Sequence, residues 1–219
     1  MAVAGVVFDM DGVLLDSEPL WHEVRRGFVA EHGGAWGEDD QRAVMGDNSR
    51  QWAEYIRRRF AVPLGEEAII AEVARRLRAL YSAGDPPVLP GAPEAVAALA
   101  ERWPLAVASS SPPEVIIAAL GAAGLDAHFG VRVSSDDVAV GKPAPDVYLE
   151  ACRRLGVTPA AAVAIEDSAN GLRAAAAAGL VVVAVPSPAF APGAEALAGA
   201  DVVLESLDEL TPDLVEGLA

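Results

Sequence analysis

Short runs of consecutive apolar residues recur along the chain, and stretches with helical periodicity separate most of them. Ala2–Phe8, Leu105–Ala108, Val131–Ser134, Ala161–Ile165, Leu180–Val185 and Asp201–Leu204 are short and nearly continuously apolar, which predicts strands buried on both faces. Between most of them Pro93–Arg102, Pro113–Ala123, Asp146–Leu155 and Ser168–Ala178 read as helices. Gly156 and Gly179 stand just past two of these, where a left-handed residue commonly ends a helix. Strands alternating with helices predict an α/β fold with a doubly wound parallel sheet.

The alternation breaks once, between the first strand and Leu105. Residues 17–83 carry helical stripes and no convincing strand: Leu20, Val24 and Phe28 form one, and Ile69, Val73, Leu77 and Leu80 another. Such stripes are packing faces. Gly84-Asp85-Pro86-Pro87, followed by Pro90-Gly91, marks a linker. The simplest organisation is a small all-helical cap domain, 17–83, inserted after the first strand of a core domain made of 1–16 and 84–219.

Composition then narrows the options. The 219 residues are 53% hydrophobic but only 5% aromatic, so the core is built mainly from Ala, Val and Leu. A net charge of −16 disfavours nucleic acid and anionic membranes as partners. It also repels a phosphorylated ligand, so a phosphate site here needs local positive charge from a metal, a lysine or helix N-termini. Cys152 is the only cysteine, which excludes an intrachain disulfide, and it reads as a small packed hydrophobe. With no signal-like N-terminus and no apolar run of membrane-spanning length, the chain reads as cytoplasmic.

The chemistry collects where the apolar runs end. Val6-Val7-Phe8 leads into Asp9-Met10-Asp11-Gly12, Leu105-Ala106-Val107-Ala108 into Ser109-Ser110-Ser111, and Ala162-Val163-Ala164-Ile165 into Glu166-Asp167. In open α/β sheets the ligand crevice lies beyond the carboxyl ends of the strands, so these acids and serines are expected at one rim. Clustered carboxylates require an offsetting cation or retained protons. Hard oxygen ligands without a cysteine or histidine pair point to Mg²⁺ rather than Zn²⁺. Lys142, in Gly141-Lys142-Pro143, adds a fixed positive charge near a helix start, with Pro145 expected in its first turn.

In this order the segments resemble the four motifs of the haloacid-dehalogenase-like hydrolases. Val7-Phe8-Asp9-Met10-Asp11-Gly12-Val13-Leu14-Leu15-Asp16-Ser17 resembles motif one and Ala108-Ser109-Ser110-Ser111 motif two. Gly141-Lys142-Pro143-Ala144-Pro145-Asp146 resembles motif three and Ile165-Glu166-Asp167-Ser168-Ala169-Asn170-Gly171 motif four. The helical insertion after motif one is similar to the subgroup containing β-phosphoglucomutase and hexose- or hexitol-phosphate phosphatases. The Asp16-Ser17-Glu18-Pro19-Leu20-Trp21 segment looks closest to the sugar phosphatases.

The resemblance implies a Mg²⁺-dependent phosphatase acting on a small phosphorylated metabolite, a sugar or sugar-alcohol phosphate, and a monomer. It implies Asp9 as nucleophile, forming an aspartyl-phosphate, and Asp11 as the proton donor to the leaving alcohol. Asp9, Asp11 through its backbone carbonyl, Asp167 and Glu166 are the implied metal set, with Glu166 either a ligand or a neighbour of one. Ser109, Ser110 and Lys142 are the implied phosphate contacts. His22, Asn48, Arg50 and Trp52 are candidate cap contacts, Arg50 first among them because a guanidinium grips an anionic or polar group bidentately. His32 and His128 are expected on solvated faces. The alternatives are a sugar phosphomutase, for which a histidine is expected where this chain has Trp21, and a non-catalytic module binding a phospho-metabolite. A haloacid dehalogenase is disfavoured by Asp11 and Glu166-Asp167.

Overall fold

The computed structural model describes residues 2–84, 86–187 and 192–218. Asp85 of the predicted linker lies outside them. Strand β1 (Gly5–Phe8) is followed by helices α1 (Glu18–Glu31), α2 (Glu38–Ala43), α3 (Ser49–Arg59) and α4 (Glu66–Ala83). The chain then runs through α5 (Ala92–Ala100), β2 (Leu105–Ser109), α6 (Pro113–Ala122), β3 (Phe129–Ser134) and α7 (Asp146–Leu155). It ends with β4 (Ala162–Glu166), α8 (Ala169–Ala178), β5 (Val181–Ala184), α9 (Ala194–Leu197), β6 (Val202–Val203) and α10 (Pro212–Glu216). Each expected strand and helix is present, with ends shifted by a few residues, and α9, α10 and the separate α2 and α3 were not foreseen. Pro145 precedes the first turn of α7 instead of lying within it.

Among the described residues the strands form one parallel sheet in the order β3-β2-β1-β4-β5-β6. The chain leaves β1 towards β2 on one side and reaches β4 on the other. A crevice therefore opens at the carboxyl end of β1, where the winding reverses. That topology places Asp9, Ser109 and Glu166 at one rim.

Alternation along each strand builds two cores. Val6, Phe8, Leu105, Val107, Val163 and Ile165 face one side, in a cluster that continues into Trp21, Phe28, Ile69 and Leu77 of the inserted helices. Val7, Ala106, Ala108, Ala162 and Ala164 face the other, against Ala151 of α7 and Ala174 and Ala175 of α8. Small residues on both surfaces let these helices approach closely, which is what a core poor in aromatics needs. Cys152 is buried in this second cluster, as expected of a small hydrophobe.

The segments flanking residues 17–83 pair with each other. Asp16 N–H donates to Pro87 C=O at 2.8 Å and Leu89 N–H to Leu14 C=O at 3.0 Å, with an antiparallel bridge between Leu15 and Val88. Among the described residues, no helix is long and apolar enough to cross a membrane.

Candidate active site

Asp9 follows the last residue of β1 and is 6% exposed. Lys142, 4% exposed, reaches it from the loop before α7: its Nζ lies 2.8 Å from Asp9 Oδ1, 2.6 Å from Glu166 Oε1 and 3.0 Å from the Ala108 carbonyl. One ammonium thus joins the ends of β1, β2 and β4.

Glu166 closes β4 and is fully buried. Besides Lys142, its Oε1 accepts from Tyr148 Oη at 2.7 Å. Its Oε2 accepts from the Asp167 N–H, the Ser168 N–H and Ser168 Oγ, each at 3.1 Å. Both oxygens are engaged, so this carboxylate fixes the lysine and the start of α8. Tyr148, on the inner face of α7, was not foreseen; its i+6 placement from Lys142 across a proline-rich loop gave no periodic signal.

The carboxyl oxygens of Asp9, Glu166 and Asp167 lie within 4.8 Å of one another. Asp167 Oδ1 is buried and has no hydrogen-bond partner among the described residues. With all three ionised, the carboxylates exceed the one lysine by two negative charges, which a divalent cation would neutralise. An all-oxygen donor set with an orphaned buried oxygen fits Mg²⁺. Gly12 makes room for the Asp167 carboxylate: its φ is +86°, and a Cβ there would sit 2.0 Å from Asp167 Oδ2. Such crowding shows in the acid–base behaviour. Burial pushes Asp9 up to about 7, Lys142 opposes this, and Glu166 and Asp11 add to it. Burial, with Glu166 and Asp9, also holds Asp167 well above the usual carboxylate range. For Lys142 burial acts downward, but Asp9 and Glu166 reverse it and keep the ammonium above an ordinary lysine.

Asp11 lies at the same rim, gripped by hydroxyls. Ser17 Oγ donates to its Oδ1, as does Trp21 Nε1 at 3.3 Å, while Ser111 Oγ at 2.8 Å and Ser109 Oγ at 3.2 Å donate to Oδ2. The carboxyl is therefore held jointly by the β1 turn, α1 and the serine cluster.

A cavity of about 390 Å³ opens over this cluster, lined by Asp9, Asp11, Lys142 and Asp167 below and by α1 and the 44–47 turn above. Ser110 and Ser111 also line it; Ser109 is fully buried beneath, supporting Asp11 and accepting from the Ser111 N–H at 3.0 Å. Ser111, not singled out from sequence, thus reaches the cavity lining that Ser109 does not. Ser110 Oγ donates to Gly46 C=O at 3.2 Å and Ser49 Oγ to Asp136 Oδ2 at 2.5 Å, so the inserted helices close directly onto the core.

The expected cap contacts separate. Trp52 lines the cavity, edge-on to Trp21 at 6.0 Å between ring centroids. His22, Asn48 and Arg50 lie outside its lining. Asn48 caps α3 by accepting from the Gln51 N–H, and the exposed Arg50 lines a second cavity with Glu67 and Glu114. The arginine that does line the main cavity is Arg25, which sequence reasoning passed over. Its sign was available, since Glu18, Trp21 and Arg25 recur at helical spacing on one face of α1.

Residues 3–179 match the model of the haloacid dehalogenase-like hydrolase family. The chain is 34% identical over 216 residues to hexitol phosphatase B of Escherichia coli (strain K12), covering 95% of each chain. It is 34% identical over 179 residues to a phosphorylated carbohydrates phosphatase of Thermotoga maritima, covering 80% of this chain and 81% of the relative. The crystal structure of CbbY from Rhodobacter sphaeroides in complex with phosphate superimposes with a TM-score of 0.87 at 32% identity, over 98% of this chain and 99% of that one. With the motif residues gathered as described, this chain belongs to the haloacid dehalogenase-like hydrolases, in their sugar-phosphatase subgroup.

Proposed function

We propose that the protein is a Mg²⁺-dependent phosphatase that hydrolyses a small phosphomonoester, a sugar or sugar-alcohol phosphate, through an aspartyl-phosphate on Asp9. The observation that carries this reading is the placement of Asp9 between a buried lysine at 2.8 Å and the orphaned Asp167 oxygen, on the floor of a metabolite-sized cavity. The relatives' names support the substrate class. In this reading, helices within 17–83 form a cap over a core of 1–16 and 84–219.

Asp9 and Asp167 would hold the cation, with the Asp11 carbonyl as the family resemblance implies. Glu166, engaged by five donors, positions Lys142 and Asp167. The ion, when bound, supplies charge neutralisation for the transferring phosphoryl group. Lys142 adds to that neutralisation. Two like unit charges at ~4 Å repel by about 4 kcal/mol at an effective dielectric of 20, so a carboxylate cannot approach a phosphate unaided. Ser110 lines the cavity, and its backbone N–H, with Ser109 as the family resemblance implies, would bind phosphate oxygens. Asp9 Oδ attacks phosphorus, and Asp11 transfers a proton to the departing alcohol oxygen. Asp11 then takes a proton from the water that cleaves the aspartyl-phosphate. The hydroxyls of Ser17, Ser109 and Ser111 hold Asp11 in position, and the closed helices limit bulk water.

The mutase alternative gains nothing from the geometry, because the side chain that meets Asp11 from α1 is Trp21 and His22 is outside the cavity. The test is phosphate release from a metabolite panel with Mg²⁺, with Asp9→Asn as the blank. Release that survives Asp9→Asn, or is insensitive to Asp11→Asn, would overturn these assignments.

A further inference from the structure

Arg25 is buried at 4% exposure, yet among the described residues its guanidinium makes no hydrogen bond or ion pair, and its Nε is an orphaned donor. It lies over the Trp21 ring at 4.5 Å from the centroid and 5.4 Å from that of Trp52. Two indole rings therefore hold the guanidinium in place while its donors stay uncommitted. Leaving a buried charge without a partner is costly, and a site that tolerates it holds donors in reserve. Burial lowers Arg25 to about 10, so it remains cationic at neutral pH.

Its surroundings decide what those donors can take. Besides Lys142 at the reaction centre, Arg25 is the only cationic residue lining the cavity among the described residues. Near it the lining supplies three carboxylates, Glu18, Asp11 and Asp47, of which Asp11 is already held by Ser17, Trp21, Ser109 and Ser111. Glu18 Oε2 already accepts from Gln41 Nε2 at 2.6 Å, whereas the Asp47 side chain has no hydrogen-bond partner among the described residues. A guanidinium only donates and a carboxylate only accepts, and a group satisfying both must do each. A hydroxyl does. A second phosphate or a carboxylate would satisfy Arg25 but face Asp47 and Glu18 unfavourably.

We propose that Arg25 and Asp47 form the specificity subsite for the end of the substrate remote from the phosphoryl group, and that they read the hydroxyls of a neutral polyol chain. The enzyme then selects polyol monophosphates over bisphosphates and phospho-carboxylates. This rests on the phosphatase reading above.

The experiment measures Mg²⁺-dependent phosphate release from a hexitol 6-phosphate, fructose 1,6-bisphosphate, phosphoglycolate and para-nitrophenyl phosphate. Wild type is expected to prefer the hexitol phosphate over the bisphosphate and phosphoglycolate by at least about tenfold in kcat/KM. Arg25→Met, which keeps the stem on the indoles, should lower the hexitol-to-nitrophenyl ratio of kcat/KM by about 10- to 100-fold, the range for losing a hydrogen bond to a charged group. The loss should appear mainly in KM. Asp47→Asn, a turn substitution outside the core, should lower the same ratio and serves if Arg25→Met does not fold. Unchanged ratios in either folded variant would overturn the subsite, and a wild-type preference for the bisphosphate or phosphoglycolate would overturn its polyol assignment. Wild type that releases phosphate from nothing, para-nitrophenyl phosphate included, would instead overturn the phosphatase reading itself.

Discussion

Gly171→Ala reverses the usual sign of a helix substitution. Residue 171 lies in the first turn of α8, where alanine is ordinarily favoured over glycine by up to about 1 kcal/mol. Here a Cβ would sit 1.7 Å from Glu166 Oε1 and 1.9 Å from its Cδ, while ordinary contact begins at 3.4 Å. The carboxylate must retreat by well over an ångström. Its bonds from Lys142 at 2.6 Å and Tyr148 at 2.7 Å have no slack for that. Losing two hydrogen bonds to a buried charge costs about 1.5–3 kcal/mol each, so after the propensity gain the variant should be destabilised by about 2–5 kcal/mol. At about 2–4 °C per kcal/mol for a chain of this size, Tm should fall by roughly 4–20 °C. Lys142 moves with its partner, and misplacement of a catalytic group by ~1 Å costs about 10²-fold in turnover. Thermal denaturation and steady-state phosphate release read both effects. A variant melting at or above the wild-type temperature with full turnover would refute the claim that Glu166 occupies the space a side chain would need.

The remaining predictions concern the cation and the cap. Because burial raises Asp9 to about 7 in the metal-free protein, its protonated form contributes stability that is complete below the ordinary carboxylate range and fades as pH rises through about 7. A divalent ion requires the anion, so Mg²⁺ should raise Tm more at pH 8 than at pH 6; an equal or inverted shift in thermal scans would contradict the site. Arg50→Ala should change kcat/KM by less than about twofold, since exposed side chains outside a cavity contribute little to binding there; a tenfold loss would return Arg50 to the site.

Much of this was legible in the sequence, and the limits follow from what a pattern can encode. The apolar runs ending in Asp9, Ser109 and Glu166 marked strand ends, because a parallel strand buried on both faces shows as an uninterrupted run. Gly156 and Gly179, with φ of +74° and +81°, end α7 and α8 as their positions implied. The helices of 17–83 were visible as stripes, but not which face meets the substrate. Asn48 as a helix cap sends Arg50 outward, and the rotation of α1 sends Arg25 inward.

By itself, then, the sequence determined the element types, their order and which acids and serines stand at strand ends, because periodicity and strand-end position are properties of single local segments. Only the tertiary structure decided which oxygens are already engaged. The Lys142 contact to Asp9 spans 133 positions and depends on β1 lying between β2 and β4. Likewise the division of labour between Glu166, held by five donors, and Asp167, left with an orphaned oxygen, depends on groups that approach from separate elements. Hydrogen bonds and charge pairs act over a few ångströms in space, and no local pattern along the chain records that proximity.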